Sequence, residues 1–261
     1  LDLTNIKRVF VIGPTHTYAF KGLHVSTFEQ YSTPLGAFDI DQDTIGDLRE
    51  AAVDSKYHGF DDMLRKGEVD EHSLEMEISF LYKRCEETFG ETGSFPKIVP
   101  MLVSGEGLYE KQAGKLLHPY LRDPENAFVI SSDFCHWGKY FTNYRPYWPQ
   151  NDEKHAVNLS DWDDAPTDPP IHETIRLMDE QAMEALQSGV HANFTNNLAK
   201  TGNSVCGQHP IGAMMAALEH YGADRPDKEQ PKFKVVRYNR STMLTDPRKS
   251  SVSYVAAYAI L

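Results

Sequence analysis

Residues 7–12 (KRVFVI) form a near-continuous β-branched and aromatic run that stops at Gly13-Pro14. A run with no polar alternation predicts a strand covered on both faces, ended by a turn. Residues 97–103 (KIVPMLV) before Ser104-Gly105, and 127–131 (AFVIS) before Ser132-Asp133, repeat the pattern. Further strands are expected over 23–28, 233–238 and 252–260. Helical spacing separates these runs. Residues 41–53 open on Asp residues suited to a first turn, and 73–89 set Leu74, Ile78, Leu81 and Cys85 on one face. Residues 108–121, 171–186 and 211–221 follow, the second with Ile175, Met178, Ala182 and Leu186 aligned. Strands alternating with helices predict an α/β fold: a three-layer mixed sheet flanked by helices, whose strand ends carry ligands. At 261 residues, one domain covering 1–261 is expected.

A formal net charge of −12 and the lack of a Lys/Arg cluster argue against nucleic acid as a partner. No stretch approaches the ~20 apolar residues of a membrane span, and no signal-peptide layout opens the chain. Cys85, Cys135 and Cys206 are an odd set, far apart, so a disulfide framework is not expected; a cytoplasmic location, extending to the nucleus, fits best. Residues 147–170, with four prolines and six acidic residues, predict a long surface loop, and 224–232 a shorter one. No GxSxG, Walker or GxGxxG pattern supports a serine hydrolase, P-loop or dinucleotide reading.

The densest polar group is Ser131-Ser132-Asp133-Phe134-Cys135-His136-Trp137-Gly138, just after a buried strand. A carboxylate, a thiol and an imidazole so close together can serve as acid/base or as metal ligands. The same residues also read as turn chemistry, with Asp133 capping and Cys135 packed. Cys206, in Asn203–Gly212 by number (NSVCGQHPIG), lies before a predicted helix N-terminus; it reads as a ligand or nucleophile, or as a buried structural thiol. His16 follows a strand end, where ligands or solvent-facing residues both occur. Glu71-His72-Ser73-Leu74-Glu75 begins a helix but lacks the two-His spacing of a zinc peptidase.

Together SSDFCHWG (131–138), GPTH (13–16), DEHSLEM (70–76), NSVCGQHPIG (203–212) and SSVSYVAAY (250–258) resemble the Memo (mediator of cell motility) family over almost the whole chain. The stretch around 147–170 is more similar to fungal than to animal members. The resemblance implies a fold similar to the LigB-type class III extradiol dioxygenases, which hold non-haem iron by two His and a carboxylate. In Memo-type pockets a Cys stands for the carboxylate. Carried over by position, His16 and Cys206 are the implied metal ligands, and His136 and Asp133 the adjacent catalytic candidates. A further family His belongs to a PHAGY-like segment upstream of GPTH, absent here, so the resemblance implies either an N-terminal truncation or a member that has lost a ligand. The implied cofactor is iron or copper. The implied role is signalling or redox regulation in cell motility and growth, with a phosphopeptide or signalling protein as partner. The alternatives are a metal-dependent oxygenase or oxidase with His136 as acid/base, without classical ring cleavage, and a metal-free peptide-binding module.

Overall fold

The computed structural model describes residues 1–90, 94–141, 143–148, 157–160 and 163–261. In chain order the elements are β1 (Arg8–Gly13), β2 (Gly22–Val25), β3 (Gln30–Thr33), β4 (Gly36–Asp39), α1 (Gln42–Asp54), β5 (Phe60–Asp62), α2 (Arg65–Val69), α3 (His72–Phe89), β6 (Lys97–Ser104) and α4 (Leu108–Leu117). A 3-10 turn (His118–Arg122) leads to β7 (Asn126–Ile130), β8 (His136–Gly138), β9 (Pro146–Tyr147), β10 (Val157–Asn158), α5 (Ile171–Gln187), α6 (His191–Thr201), α7 (Gln208–Ala223), β11 (Lys234–Arg240) and β12 (Ser250–Tyr258). They form two compact units: Leu1–Ser132 with Gly207–Gln230 and Leu261, and Asp133–Cys206 with Pro231–Ile260.

The first unit is built on a five-stranded mixed sheet of order β5-β2-β6-β1-β7. β1 runs parallel to both β6 and β7, while β2 is antiparallel to β6. Central placement explains why residues 9–13 are all buried and why the run shows no polar alternation. Side chains still alternate between faces. Phe10 stacks on Phe128 and meets Tyr120 of the 3-10 turn that packs on α7, whereas Gly13, on the opposite face, lies against Ser73 and Leu74 of α3. Helices therefore cover both faces of a mixed sheet, as the alternating pattern predicts. α3 buries Leu74, Ile78, Leu81 and Cys85, the stripe read from the sequence.

Local chemistry adjusts the element ends. The helix expected over 108–121 stops at Leu117, because Pro119 has no N–H to continue the ladder and the chain tightens into a 3-10 turn. The strand expected over 23–28 ends at Val25, where the Ser26 hydroxyl accepts from the Phe28 N–H and turns the backbone. Arg8 ties β1 to its neighbours: its Nε donates to Asp41 Oδ2 at 2.7 Å and its Nη1 to Asn126 Oδ1 at 2.9 Å. The other Asp41 oxygen caps α1 through the Thr44 N–H.

The second unit holds the three-stranded antiparallel sheet β11-β12-β8 and helices α5 and α6. Its core gathers Cys135, Trp137, Trp148, Ile171, Ile175, Met178 and Leu244, with the Trp137 indole donating to the Pro146 carbonyl at 2.9 Å. α5 buries the predicted Ile175, Met178, Ala182 and Leu186. Of the loop expected over 147–170, residues 149–156 and 161–162 lie outside the described residues; around them β9 pairs with β10. α6 went unread because its inner face carries only Phe194 and Leu198 as apolar anchors, although left-handed Gly202 marks its end. Among the described residues no helix is long and apolar enough to cross a membrane.

Candidate metal centre

The SSDFCHWG motif passes from an irregular segment into β8, and its shape is set by backbone pairing with β12. Phe134 N–H donates to the Ser253 carbonyl at 2.9 Å, and Ser253 N–H returns to Cys135 at 3.0 Å. Gly138 ends the motif at φ 111°, with an added Cβ only 2.3 Å from the Lys249 carbonyl oxygen. Only glycine accepts that backbone and that approach.

Three donor side chains converge in this second unit. Asp133, His136 and Cys206 each offer a ligand atom, all within 4.8 Å of one another. Ligands ~2.0–2.3 Å from one tetrahedral ion lie ~3.3–3.8 Å apart, so side-chain adjustment would be needed to close these three atoms on one ion. The backbone holds the sulfur in place: Asp133 N–H donates to Cys206 Sγ at 3.1 Å, and Cys206 N–H to the Asp133 carbonyl at 3.3 Å. Ser204 grips His136 reciprocally, its hydroxyl accepting from the His136 N–H at 2.9 Å and donating to the His136 carbonyl at 2.8 Å.

The imidazole is oriented too. Its Nδ1 lies 3.1 Å from the Phe134 carbonyl oxygen and 3.4 Å from that of Ser204. Carbonyls only accept, so these contacts use Nδ1 as the donor and leave Nε2, 3.7 Å from Asp133 Oδ2, as the ring nitrogen that faces the cluster. The Phe141 ring meets the imidazole edge-on at 4.7 Å. Cys135, the thiol of the motif, is fully buried and is pushed well up by burial and by Asp179; it packs as a small hydrophobe.

His16 belongs to the first unit, where it groups with Glu71 and His72. Glu71 Oε2 accepts the His16 N–H at 2.6 Å, Oε1 accepts the His16 Nδ1–H at 2.8 Å, and the same Oε1 takes the Ser73 N–H at 3.1 Å. Burial pushes this carboxyl up, but the bonds from the His16 ring, the His16 N–H and the Ser73 N–H outweigh it and hold the pKa down to about 2. The His72 ring stacks on His16 at 4.5 Å. The sequence reading put Glu71 at the beginning of a helix; it is the N-cap residue of α3, 1% exposed, and the partner of a histidine 55 positions away. An acidic N-cap before a predicted helix was the available signal, but nothing local named His16. Ser204 was also missed as the anchor of His136. In the first unit, His209 pairs through Nδ1 with buried Glu110 at 2.7 Å.

Comparison with known proteins agrees with these motifs. The family model described as Memo-like protein matches residues 1–258. The chain belongs to the Memo family. Protein memo-1 homolog of Caenorhabditis elegans is 34% identical over 252 residues, which is 96% of this chain and 63% of the nematode protein. This Memo-family chain therefore spans less than two thirds of that relative. Protein MEMO1 of Xenopus tropicalis is 32% identical over 100% of this chain and 78% of its own length, and that of Homo sapiens 31% over 98% and 76%.

Proposed function

We propose that this Memo-family chain binds a redox-active metal, iron or copper, and acts in redox-regulatory signalling of cell motility and growth. The observation that supports the reading is the convergence of Cys206, His136 and Asp133, with His136 Nε2 turned toward the carboxylate. A thiol beside an imidazole and a carboxylate suits a borderline or soft transition metal and is a poor match for magnesium or calcium, which take oxygen ligands. Bound there, iron or copper supplies one-electron redox chemistry. The chain's own part is to fix the ligands: Phe134 and Ser204 hold the imidazole tautomer, and the Asp133 N–H holds the sulfur. His16 is proposed as a ligand within its own group in the first unit, with Glu71 and His72, where its Nδ1 lies 2.8 Å from Glu71 Oε1.

Elemental analysis of the purified chain, followed by anaerobic titration with ferrous and cuprous ions, tests the reading. Near-stoichiometric binding that Cys206→Ser abolishes supports it. A chain that binds neither ion rejects it. The signalling part is tested in cells lacking the protein, where the wild-type chain restores migration and Cys206→Ser does not.

A further inference from the structure

Asp179 occupies the buried face of α5 among Ile175, Met178, Ala182 and Met183, where packing alone favours an apolar residue. Its side chain is wholly buried. A carboxylate held away from water is costly unless each oxygen is hydrogen-bonded, and here both are. Oδ1 accepts the Cys135 N–H at 3.2 Å and the Asn203 amide N–H at 2.9 Å, and Oδ2 accepts the Tyr238 hydroxyl at 2.8 Å. Burial pushes the carboxyl above its ordinary range, against the hydrogen bonds from Ser253, Asn203, Tyr238 and Cys135 that pull it down.

The partners of Oδ1 come from two distant stretches of chain. Cys135 lies between Phe134 and His136, and Asn203 lies three residues before Cys206. The same two stretches meet again through Ser204 and His136, and through Cys206 and Asp133. One oxygen atom therefore joins the segment that carries Asp133 and His136 to the segment that carries Cys206, from beneath.

We propose that Asp179 is the positioning residue of this centre: its carboxylate locks the 133–136 and 203–206 segments together so that Asp133, His136 and Cys206 face one another. The inference rests on the metal-binding reading above. Asp179 touches no ion itself. It acts as an outer support, whose loss costs a metal site about tenfold to a hundredfold in affinity.

Cobalt(II) is the probe, because its bond to sulfur gives a near-ultraviolet band that reports Cys206 directly. The full chain, Asp179→Asn and Cys206→Ser are titrated with cobalt(II), with circular dichroism and thermal unfolding run on each. The expected result is a folded Asp179→Asn protein that binds at least about tenfold more weakly, with a shifted or weakened sulfur band. Tyr238→Phe, which removes one donor and spares the bridge, stays within about threefold of wild type. Wild-type affinity and band in folded Asp179→Asn overturn the proposal. Where Asp179→Asn fails to fold, Asn203→Ala breaks the same bridge from its other end, and wild-type binding by that variant overturns it equally. A wild-type chain without a sulfur band that Cys206→Ser removes sinks the metal reading itself. Asp179 is then judged by the iodoacetamide rate of Cys206: a change of threefold or more in Asp179→Asn upholds positioning, and an unchanged rate rejects it.

Discussion

The imidazole of His136 and the carbonyl of Phe134, two residues apart, lie 3.1 Å from each other at Nδ1, and this contact decides which ring nitrogen can act. With the proton committed to a carbonyl, Nε2 faces the Asp133 carboxylate. His136→Gln is expected to weaken iron or copper binding by at least about tenfold. The side chain is one fifth exposed, so stability should move by less than about 1 kcal/mol. Parallel metal titration and urea unfolding check the two halves, and a large loss of stability with intact binding would contradict the assignment.

Gly138→Ala should destabilise the second unit by about 2 kcal/mol or more, since it combines a left-handed φ with a 2.3 Å approach to a backbone oxygen that has no flexible end to give. A lowered urea midpoint at unchanged slope is the expected signature. An unchanged midpoint would mean that the β8–β12 pairing adapts freely.

Asp41 sets a pH dependence. Burial raises its carboxyl, but the Arg8 guanidinium and the Thr44 N–H outweigh it and hold the group below its ordinary value. A depressed folded pKa gives stability that is fully present above the unfolded value of ~3.9 and is lost as pH falls through the folded one. Asp41→Asn keeps a capping oxygen and loses the ion pair, so it should cost about 1–2 kcal/mol at neutral pH and progressively less below about pH 4. Urea midpoints at pH 7 and pH 3 report this; a gap that does not narrow in acid would count against the ion pair.

Glu71→Gln places an amide donor against the donors of His16 and Ser73. One of those N–H groups loses its acceptor, at a cost of about 1–3 kcal/mol. The amide oxygen keeps the Oε1 place, which serves two donors, so the His16 backbone N–H is the group left without its acceptor. Thermal unfolding should show the loss, and the His16 backbone amide should lose protection in hydrogen exchange. Retention of both would indicate that the His16 backbone is held from elsewhere.

What the sequence by itself determined was whatever depends on neighbours along the chain. The apolar runs at 7–12, 97–103 and 127–131 specified strands, the first two covered and the third, last in the strand order, half-buried over 128–130, and helical spacing located the buried stripes of α3 and α5. The motif Asp133-Phe134-Cys135-His136 was legible as polar chemistry after a strand, and family resemblance singled out His16 and Cys206. Tertiary structure alone decided the rest. Cys206 reaches Asp133 across 73 residues, Glu71 reaches His16 across 55, and Asp179 bridges to Cys135 and Asn203 across 44 and 24. Hydrogen bonds of this kind carry no periodicity, because each depends on a distance between backbones that only the packed fold fixes. The protonated nitrogen of His136 has the same origin: imidazole is symmetric enough in sequence terms to choose either tautomer, and the carbonyls of Phe134 and Ser204 make the choice.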